Sequence, residues 1–280
     1  MWVLQKGQKM IQSIKRVFCA VAMTLGIALY APTASSVPVD LELVLLTDVS
    51  GSVDGTDFNL MKNGYVSAFE SAVIQNAIAG GTLGQIAVTL VYFSDGAVQS
   101  IAWTLIGSAA QANAFAGLID TTPRPSSGGT GIVAGLNLAA SLFADNGFEG
   151  TRQVIDVVGD GSESQACSFS QLNCVPLQNA RDNAFDAGVN TINALWIDDR
   201  DFFGDDPADT INALTYGTTN VIGGTGAFQS IVQDFPGFSL AILAKLEREV
   251  VPPTVPEPAS LALVGLALVG IAFASRRRRT

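Results

Sequence analysis

Five oxygen-bearing side chains stand where apolar runs end or where a glycine-rich stretch precedes a predicted helix. Three follow one apolar run at alternate positions, one lies in the glycine-rich stretch, and one follows a second apolar run. Carboxylates and hydroxyls are hard ligands that suit Mg²⁺, with Mn²⁺ or Ca²⁺ as alternatives, and do not suit a soft metal. The predicted metal ligands are Asp48, Ser50, Ser52, Thr130 and Asp160.

The elements around these residues must bring them together. Residues 41–47 and 154–158 are apolar runs typical of buried parallel strands. The carboxyl ends of parallel strands meet at one edge of a sheet, where α/β folds bind their ligands. Two carboxylates and three hydroxyls do not complete an octahedron, so we expect water or an incoming carboxylate in the remaining position.

Strands and helices alternate along the rest of the domain. This alternation, with one hairpin around Asp95, predicts a doubly wound α/β fold with a mainly parallel sheet, one antiparallel edge strand and flanking helices. Further strands are predicted at 86–93, 98–106, 191–197 and 221–222. Helices are predicted at 57–78, 109–118, 131–143, 175–187, 207–215 and, with an interruption at Pro236-Gly237, 227–249.

The five oxygen-bearing residues and the predicted fold resemble the von Willebrand factor type A family. The metal-ion-dependent adhesion site of that family is Asp-x-Ser-x-Ser, then a distant Thr and a distant Asp, and this sequence matches every position in order. The resemblance covers residues 40–250, and the segments VIDVVGDG and VIGGTGAF resemble a bacterial branch of the family. It implies a Mg²⁺ site whose open position takes an acidic side chain from a protein ligand.

The charge of the domain argues against one class of partner. Residues 37–250 contain seven basic and 24 acidic residues, a net charge of −17, whereas the whole chain carries −10. A domain this acidic repels phosphate backbones. Nucleic acid is therefore not expected as a partner.

Histidine is absent from the sequence, which excludes Ser-His-Asp and Cys-His triads. A metal-dependent hydrolase built on this chain would have to use a carboxylate such as Asp95 or Glu163 as its base. The acidic segment 198–209 has two interpretations, a Ca²⁺ site or a solvated loop.

Residues 1–36 are predicted to be a signal peptide. Basic residues precede an apolar run at 17–30, small residues follow it, and cleavage is expected between Ala34 and Val37. The alternative is an uncleaved anchor helix, although the run is short for a membrane span. Met10 is an alternative start.

The C-terminal segment resembles the PEP-CTERM sorting signal of Gram-negative bacteria. Residues 251–258 are a proline-rich linker, residues 259–275 are apolar and long enough for a transmembrane helix, and residues 276–280 form a cytoplasmic arginine tail. The resemblance implies that an exosortase processes the protein near Pro256, Glu257 and Pro258, after transient anchoring in the inner membrane. A plain tail anchor is the alternative.

Two cysteines remain after removal of the signal peptide, which contains Cys19. In an oxidising compartment, and without histidine to complete a zinc site, Cys167 and Cys174 are predicted to form a disulfide. This disulfide would close a short loop just after Asp160, beside the predicted metal ligands.

These features together predict an exported, non-catalytic, Mg²⁺-dependent module that binds a protein ligand at the cell surface or in extracellular matrix. Two alternatives stay open. One is a structural matrix protein whose metal site only makes the fold rigid. The other is a metal-dependent hydrolase.

Overall fold

The computed structural model describes residues 36–168, 171–198 and 212–251. The predicted signal peptide up to residue 35, and the linker from residue 252 with the transmembrane helix and arginine tail, lie outside these residues. Within the three described ranges, no helix is long and apolar enough to cross a membrane.

A seven-stranded sheet forms the centre of the domain, and a separate pair of short strands lies outside it. The spatial order is β4-β3-β2-β6-β7, with β8 and β9 both paired to β7, and β1 pairs with β5. The strands are β1 (Val37–Val39), β2 (Leu41–Asp48), β3 (Ile86–Phe93), β4 (Ala97–Ile106), β5 (Phe148–Gly150), β6 (Gln153–Gly159), β7 (Thr191–Ile197), β8 (Gly223–Gly224) and β9 (Gln229–Val232).

Most neighbouring strands of the sheet run parallel. The exceptions are β4, which is antiparallel to β3 at one edge, and the two-residue β8, which is antiparallel to β7. The predicted α/β fold with a mainly parallel sheet and an antiparallel edge strand is therefore confirmed.

Helices cover both faces of the sheet. Every residue of β2, β3 and β7 is buried, because both faces of these strands are removed from water. One face packs against α1 (Gly55–Glu70), α2 (Ala72–Ala79), α3 (Ala109–Thr121) and α7 (Phe238–Val250), and the other against α4 (Ile132–Ser141), α5 (Val175–Asp186) and α6 (Ala213–Asn220).

The chain changes direction across the sheet at β2. After β2 it continues into β3 on one side, whereas β6 pairs with β2 on the other side. In open α/β sheets, a crevice forms outside the carboxyl ends of the strands at such a switch point. The carboxyl ends of β2 and β6 are where Asp48 and Asp160 occur.

The predicted helix 57–78 is wrong in one respect, because the chain forms two helices there. Ser71 has an extended backbone between α1 and α2, and its Oγ accepts a hydrogen bond of 3.3 Å from the amide of Ile74. Serine competes for backbone hydrogen bonds and favours helix caps over helix interiors. Apolar periodicity alone does not detect such a cap.

The predictions for residues 221–249 are partly wrong. Helix α6 ends at Asn220 with Val221 as its C-cap, and the strand predicted at 221–222 forms two residues later, as β8. The first part of the predicted helix 227–249 contains strand β9, and α7 begins only after a 3₁₀-helix at Phe235–Gly237. Parallel pairing with β7 determines the conformation of Gln229–Val232, and this partner is distant in sequence.

Residues 207–211 of the predicted helix 207–215 lie outside the described residues. In the described part, α6 begins at Ala213 and continues to Asn220, beyond the predicted end. The side chain of Asn212 caps it by accepting hydrogen bonds from the amides of Leu214 and Thr215.

Candidate metal centre

The loop after β2 is held in a tight turn. Asp48, the last residue of β2, is fully buried, and its Oδ1 accepts a hydrogen bond of 2.7 Å from the amide of Ser50. The amide of Val49 donates to the carbonyl of Phe93 at the end of β3, at 2.8 Å. These bonds fix the start of the Asp-x-Ser-x-Ser segment against two strand ends.

A chain of side-chain hydrogen bonds joins four of the predicted ligands. The hydroxyl of Ser52 donates to Oδ1 of Asp160 at 2.8 Å. The Oγ atoms of Ser50 and Ser52 are 3.2 Å apart, and Oγ1 of Thr130 donates to Oγ of Ser50 at 3.4 Å. With Asp48 bonded to the amide of Ser50, the structure brings all five predicted residues into one cluster.

The cluster is buried on one side and open on the other. Asp48, Ser50, Thr130 and Asp160 are each less than a tenth exposed, whereas Ser52 is exposed to solvent. Gly159 allows β6 to pass close to the cluster, because a Cβ atom there would lie 3.3 Å from Oδ2 of Asp48. An ion held by these residues would therefore be accessible to a partner from the side of Ser52.

The electrostatics of the cluster favour a bound cation. Burial raises the pKa of Asp48 well above its ordinary value, and the nearby charge of Asp160 raises it further. Among the described residues, no group donates a hydrogen bond to Oδ2 of Asp48, although this atom is buried. A divalent cation would supply the missing partner and offset the repulsion between the two carboxylates.

The donor set fits a hard divalent ion. It consists of two carboxylates and three hydroxyls, and no group of three acidic or cysteine side chains that could hold a metal occurs in the described part of the chain. Oxygen-only donors suit Mg²⁺, which commonly binds few carboxylates and keeps water in its remaining positions.

Two further residues position the cluster, and the sequence analysis did not identify them in this role. Arg124 donates hydrogen bonds from Nη2 to the carbonyls of Val49 (2.7 Å) and Ser50 (2.6 Å). Glu163 is buried, and its carboxylate accepts hydrogen bonds of 2.8 to 2.9 Å from three backbone amides, those of Val133, Gln165 and Ala166. One signal was available for Arg124, since it is among only seven basic residues of the domain and precedes the glycine-rich stretch.

Both carboxylates considered as a hydrolase base are engaged with backbone amides. Oδ1 of the exposed Asp95 accepts a hydrogen bond of 2.6 Å from the amide of Gly129. Glu163 ties the start of α4 to the loop after β6. Through these hydrogen bonds, both residues support the loops that surround the cluster.

The loop after Asp160 contains a disulfide between Cys167 and Cys174, with Cα atoms 5.8 Å apart. Cys174 is fully buried, and its amide donates a hydrogen bond of 3.0 Å to Oδ1 of Asn220 in α6. The disulfide therefore ties this loop to the start of α5. Except for Asp198, the acidic segment 198–209 lies outside the described residues.

The sheet order and the cluster at the ends of β2 and β6 define a domain of the von Willebrand factor type A class. Residues 38–254 match the family described as "Protein of unknown function (DUF1194)", and the chain belongs to this family. Residues 254–279 match the PEP-CTERM protein-sorting motif. Among curated protein sequences, none matches this chain.

Solved structures with a similar fold include proteins from bacteria and from a mussel. The pilus adhesin SpaC of Lactobacillus rhamnosus GG is 19% identical over 77% of this chain and 30% of its own, with a TM-score of 0.52. Proximal thread matrix protein 1 of the mussel byssus, with a zinc-occupied MIDAS motif, is 16% identical over 78% of this chain and 46% of its own, with a TM-score of 0.49. A von Willebrand factor type A protein of Catenulispora acidiphila is 14% identical over 76% of this chain and 42% of its own, with a TM-score of 0.48.

This chain spans less than half the length of each of these three chains. At such low identities the similarity concerns the fold alone.

Proposed function

We propose that this protein is an exported, non-catalytic module that holds Mg²⁺ in the cluster and uses it to bind an acidic side chain of a protein ligand. The observation that carries the proposal is the convergence of five oxygen-bearing side chains in one cluster, in which Oδ2 of Asp48 is buried and receives no hydrogen bond from the described residues. The proposed ligands are Asp48, Ser50, Ser52, Thr130 and Asp160.

Each part of the cluster has a separate role in this proposal. Asp48 and Asp160 supply the negative charge that retains the ion, and the three hydroxyls supply neutral oxygen donors. When bound, Mg²⁺ supplies a Lewis-acidic position that can take a carboxylate. Arg124 holds the backbone of the Asp-x-Ser-x-Ser loop in place and leaves the ligand atoms free to face the ion.

The charge of the domain restricts the partner. A net charge of −17 over residues 37–250 repels a generally acidic surface. The partner must therefore present one Asp or Glu on a neutral or basic patch. Binding should depend on both the ion and that carboxylate.

The sorting motif supports a location outside the inner membrane. PEP-CTERM signals are exosortase substrates, and the match at residues 254–279 indicates export with C-terminal sorting to the surface. We propose that the 259–275 segment anchors the protein until it is processed, and that the domain then acts at the cell surface or in extracellular matrix.

The metal site is tested by thermal unfolding of the purified protein with Mg²⁺ and with EDTA. Mg²⁺ should raise the melting temperature of the wild type, and Asp48→Asn should abolish this increase because it removes one of the two charges that hold the ion. Asp186→Asn is the matched control, since Asp186 is exposed at the end of α5. An unchanged Mg²⁺ effect in Asp48→Asn would contradict the site assignment.

The binding function is tested by capture of surface proteins with Thr130→Ala, which removes a neutral ligand without changing the net charge. Wild-type protein should retain a partner in Mg²⁺ and lose it in EDTA, and Thr130→Ala should weaken capture while remaining folded. Thr130→Ser keeps the hydroxyl and should restore capture. A partner that binds equally in Mg²⁺, in EDTA and to Thr130→Ala would refute the proposed mechanism.

A further inference from the structure

A second candidate site lies at the amino ends of β6 and β7, the end of these strands opposite to the metal cluster. It is a cavity of about 200 Å³, roughly the volume of seven liquid water molecules. Its walls come from the first residues of both strands, the turn after β8 and the last turn of α7. Its lining includes Arg152, Thr191, Thr225, Phe228, Arg248 and Glu249.

Two arginines of this acidic domain face the same cavity. The guanidinium carbon of Arg248 lies 3.7 Å from the centroid of the Phe228 ring, which holds it in place by stacking. Arg248 is exposed, and no group of the described residues accepts a hydrogen bond from it. The described residues therefore leave its N–H donors for a ligand.

Arg152 has a structural role that occupies only part of its guanidinium. Nη2 donates to the carbonyls of Glu249 (2.8 Å) and Val250 (3.4 Å) at the end of α7. Within the described ranges, Nε and Nη1 have no acceptor. Burial lowers the pKa of Arg152, and the nearby charges of Glu249 and Asp40 act in the opposite direction. An anion in the cavity would further offset the desolvation of this guanidinium.

The buried carboxylate on the cavity wall does not cancel these charges. Oε1 of Glu249 accepts hydrogen bonds from Nζ of Lys245 (2.6 Å) and Nδ2 of Asn193 (2.9 Å). Lys245 also pairs with Asp156, and burial raises the pKa of Asp156 to about 8, which favours its neutral form. Lys245 and Glu249 then form a neutral pair, although Oε2 of Glu249 receives no hydrogen bond from the described residues. Arg152 and Arg248 are the two cationic residues of the cavity lining.

The lining indicates what kind of anion would fit. The hydroxyl of Thr191 donates to the carbonyl of Thr225 at 2.9 Å and can still accept a hydrogen bond, and Thr225 exposes a second hydroxyl. Guanidinium groups bind carboxylates through paired hydrogen bonds. The acidity of the domain favours a monoanion over a phosphate dianion.

We propose that this cavity binds a small hydroxylated carboxylate, of the size of one sugar acid, between Arg152 and Arg248. Such a ligand would place its carboxylate against the two guanidiniums and its hydroxyls against the threonines. A free sugar acid and the end of an acidic polysaccharide both offer a carboxylate together with hydroxyls. The site is independent of the metal cluster, because it lies at the opposite ends of the strands.

The proposal is tested by calorimetric titration of the purified protein in EDTA, so that the metal cluster does not contribute. D-galacturonate is the probe, with neutral D-galactose as the matched control. Galacturonate should bind and galactose should not. Arg248→Gln should weaken galacturonate binding about tenfold or more, as expected for loss of a charged hydrogen-bonding partner. Arg181→Gln, which changes an arginine outside the cavity, should bind as the wild type does.

Two additional arms complete the test. Arg152→Gln is a second variant that should weaken binding, and its melting temperature reports separately on the lost contacts to α7. A galacturonate trimer that binds more tightly than the monomer would support a polysaccharide end as the ligand, and equal binding would support the free acid. Wild-type affinity in Arg248→Gln, or equal binding of galacturonate, galactose, sulfate and inorganic phosphate, would overturn the proposal.

Discussion

Arg124 contacts the carbonyl oxygen of Val49 with two nitrogens, Nη2 at 2.7 Å and Nε at 3.2 Å, although the two residues are 75 positions apart in sequence. The same Nη2 also reaches the carbonyl of Ser50. These carbonyls belong to the turn at the end of β2, which carries three of the proposed metal ligands. One side chain from the loop after α3 therefore holds the backbone of the turn, while the ligand side chains remain directed into the cluster.

The first prediction concerns this contact. Arg124→Gln should reduce the Mg²⁺-dependent increase in melting temperature while leaving the domain folded, because glutamine cannot make the forked contact to two carbonyls. Loss of hydrogen bonds from a charged group costs about 1.5 to 3 kcal/mol, which sets the scale of the destabilisation. Thermal unfolding with a titration of Mg²⁺ measures both effects.

Arg181→Gln is the control for Arg124→Gln. Arg181 is an arginine of α5 that pairs with the exposed Asp182 and donates to the carbonyl of Thr219, away from the cluster. The Arg181→Gln variant should leave the midpoint of the Mg²⁺ titration unchanged. If both variants shift that midpoint equally, Arg124 acts only through the net charge and does not position the loop.

The second prediction concerns processing at the C-terminus. In a host that carries an exosortase, the mature protein should lack residues 259–280, because the Pro256-Glu257-Pro258 motif directly precedes the predicted membrane span. Mass spectrometry of the exported form gives its C-terminal residue. Replacement of the motif by alanines should leave the full C-terminus in place, and intact arginines on the exported wild type would contradict the prediction.

Much of the fold could be predicted because its central strands are buried on both faces. Such strands appear as nearly continuous apolar runs, and the predicted bounds 86–93 and 191–197 are those of the structure. The convergence of Asp48, Thr130 and Asp160 followed from the rule that ligands lie at the carboxyl ends of parallel strands. In the structure, the hydroxyls of Ser50 and Ser52 link Thr130 to Asp160, and Asp48 bonds to the amide of Ser50.

The remaining features depend on contacts that periodicity does not encode. Strand β9 forms because β7 offers it an edge, and the break at Ser71 is a local capping effect. The role of Arg124 requires knowledge of two loops that come together only in the fold. In each case the decisive partner is either distant in sequence or a backbone group, so a pattern of apolar residues does not show it.

The third prediction concerns the pH dependence of stability. Burial raises the pKa of Asp156 to about 8, with the charge of Glu249 as a further cause. The folded chain therefore keeps a proton that the unfolded chain releases above pH about 4, so this stabilisation is complete below pH 4 and is lost as pH rises through 8. Asp156→Asn cannot ionise, so its free energy of unfolding should fall less between pH 5 and 8.

The comparison is made by urea unfolding in EDTA at several pH values. The difference in the free energy of unfolding between wild type and Asp156→Asn should change by at most about 1.4 kcal/mol per pH unit, which is the limit for one proton. Burial lowers the pKa of Lys245, but its two carboxylate partners more than offset this, so the pKa is raised and Lys245 stays charged throughout this range. Parallel pH profiles for the two proteins would show that Asp156 does not titrate there.

The last prediction concerns the cation at the centre of this buried group. Lys245 is fully buried and pairs with Asp156 and, at 2.6 Å, with Glu249. Lys245→Met removes the positive charge and leaves two buried carboxyl groups without it, a change that costs about 3 to 5 kcal/mol in buried ion pairs. We therefore expect a large decrease in the free energy of unfolding at pH 7, measured by urea titration.

Lys62→Met is the matched control, because Nζ of Lys62 lies 3.8 Å from Oδ1 of the exposed Asp120, and surface pairs contribute about 1 kcal/mol or less. Equal losses in the two variants would mean that Lys245 stabilises the fold no more than a surface lysine does.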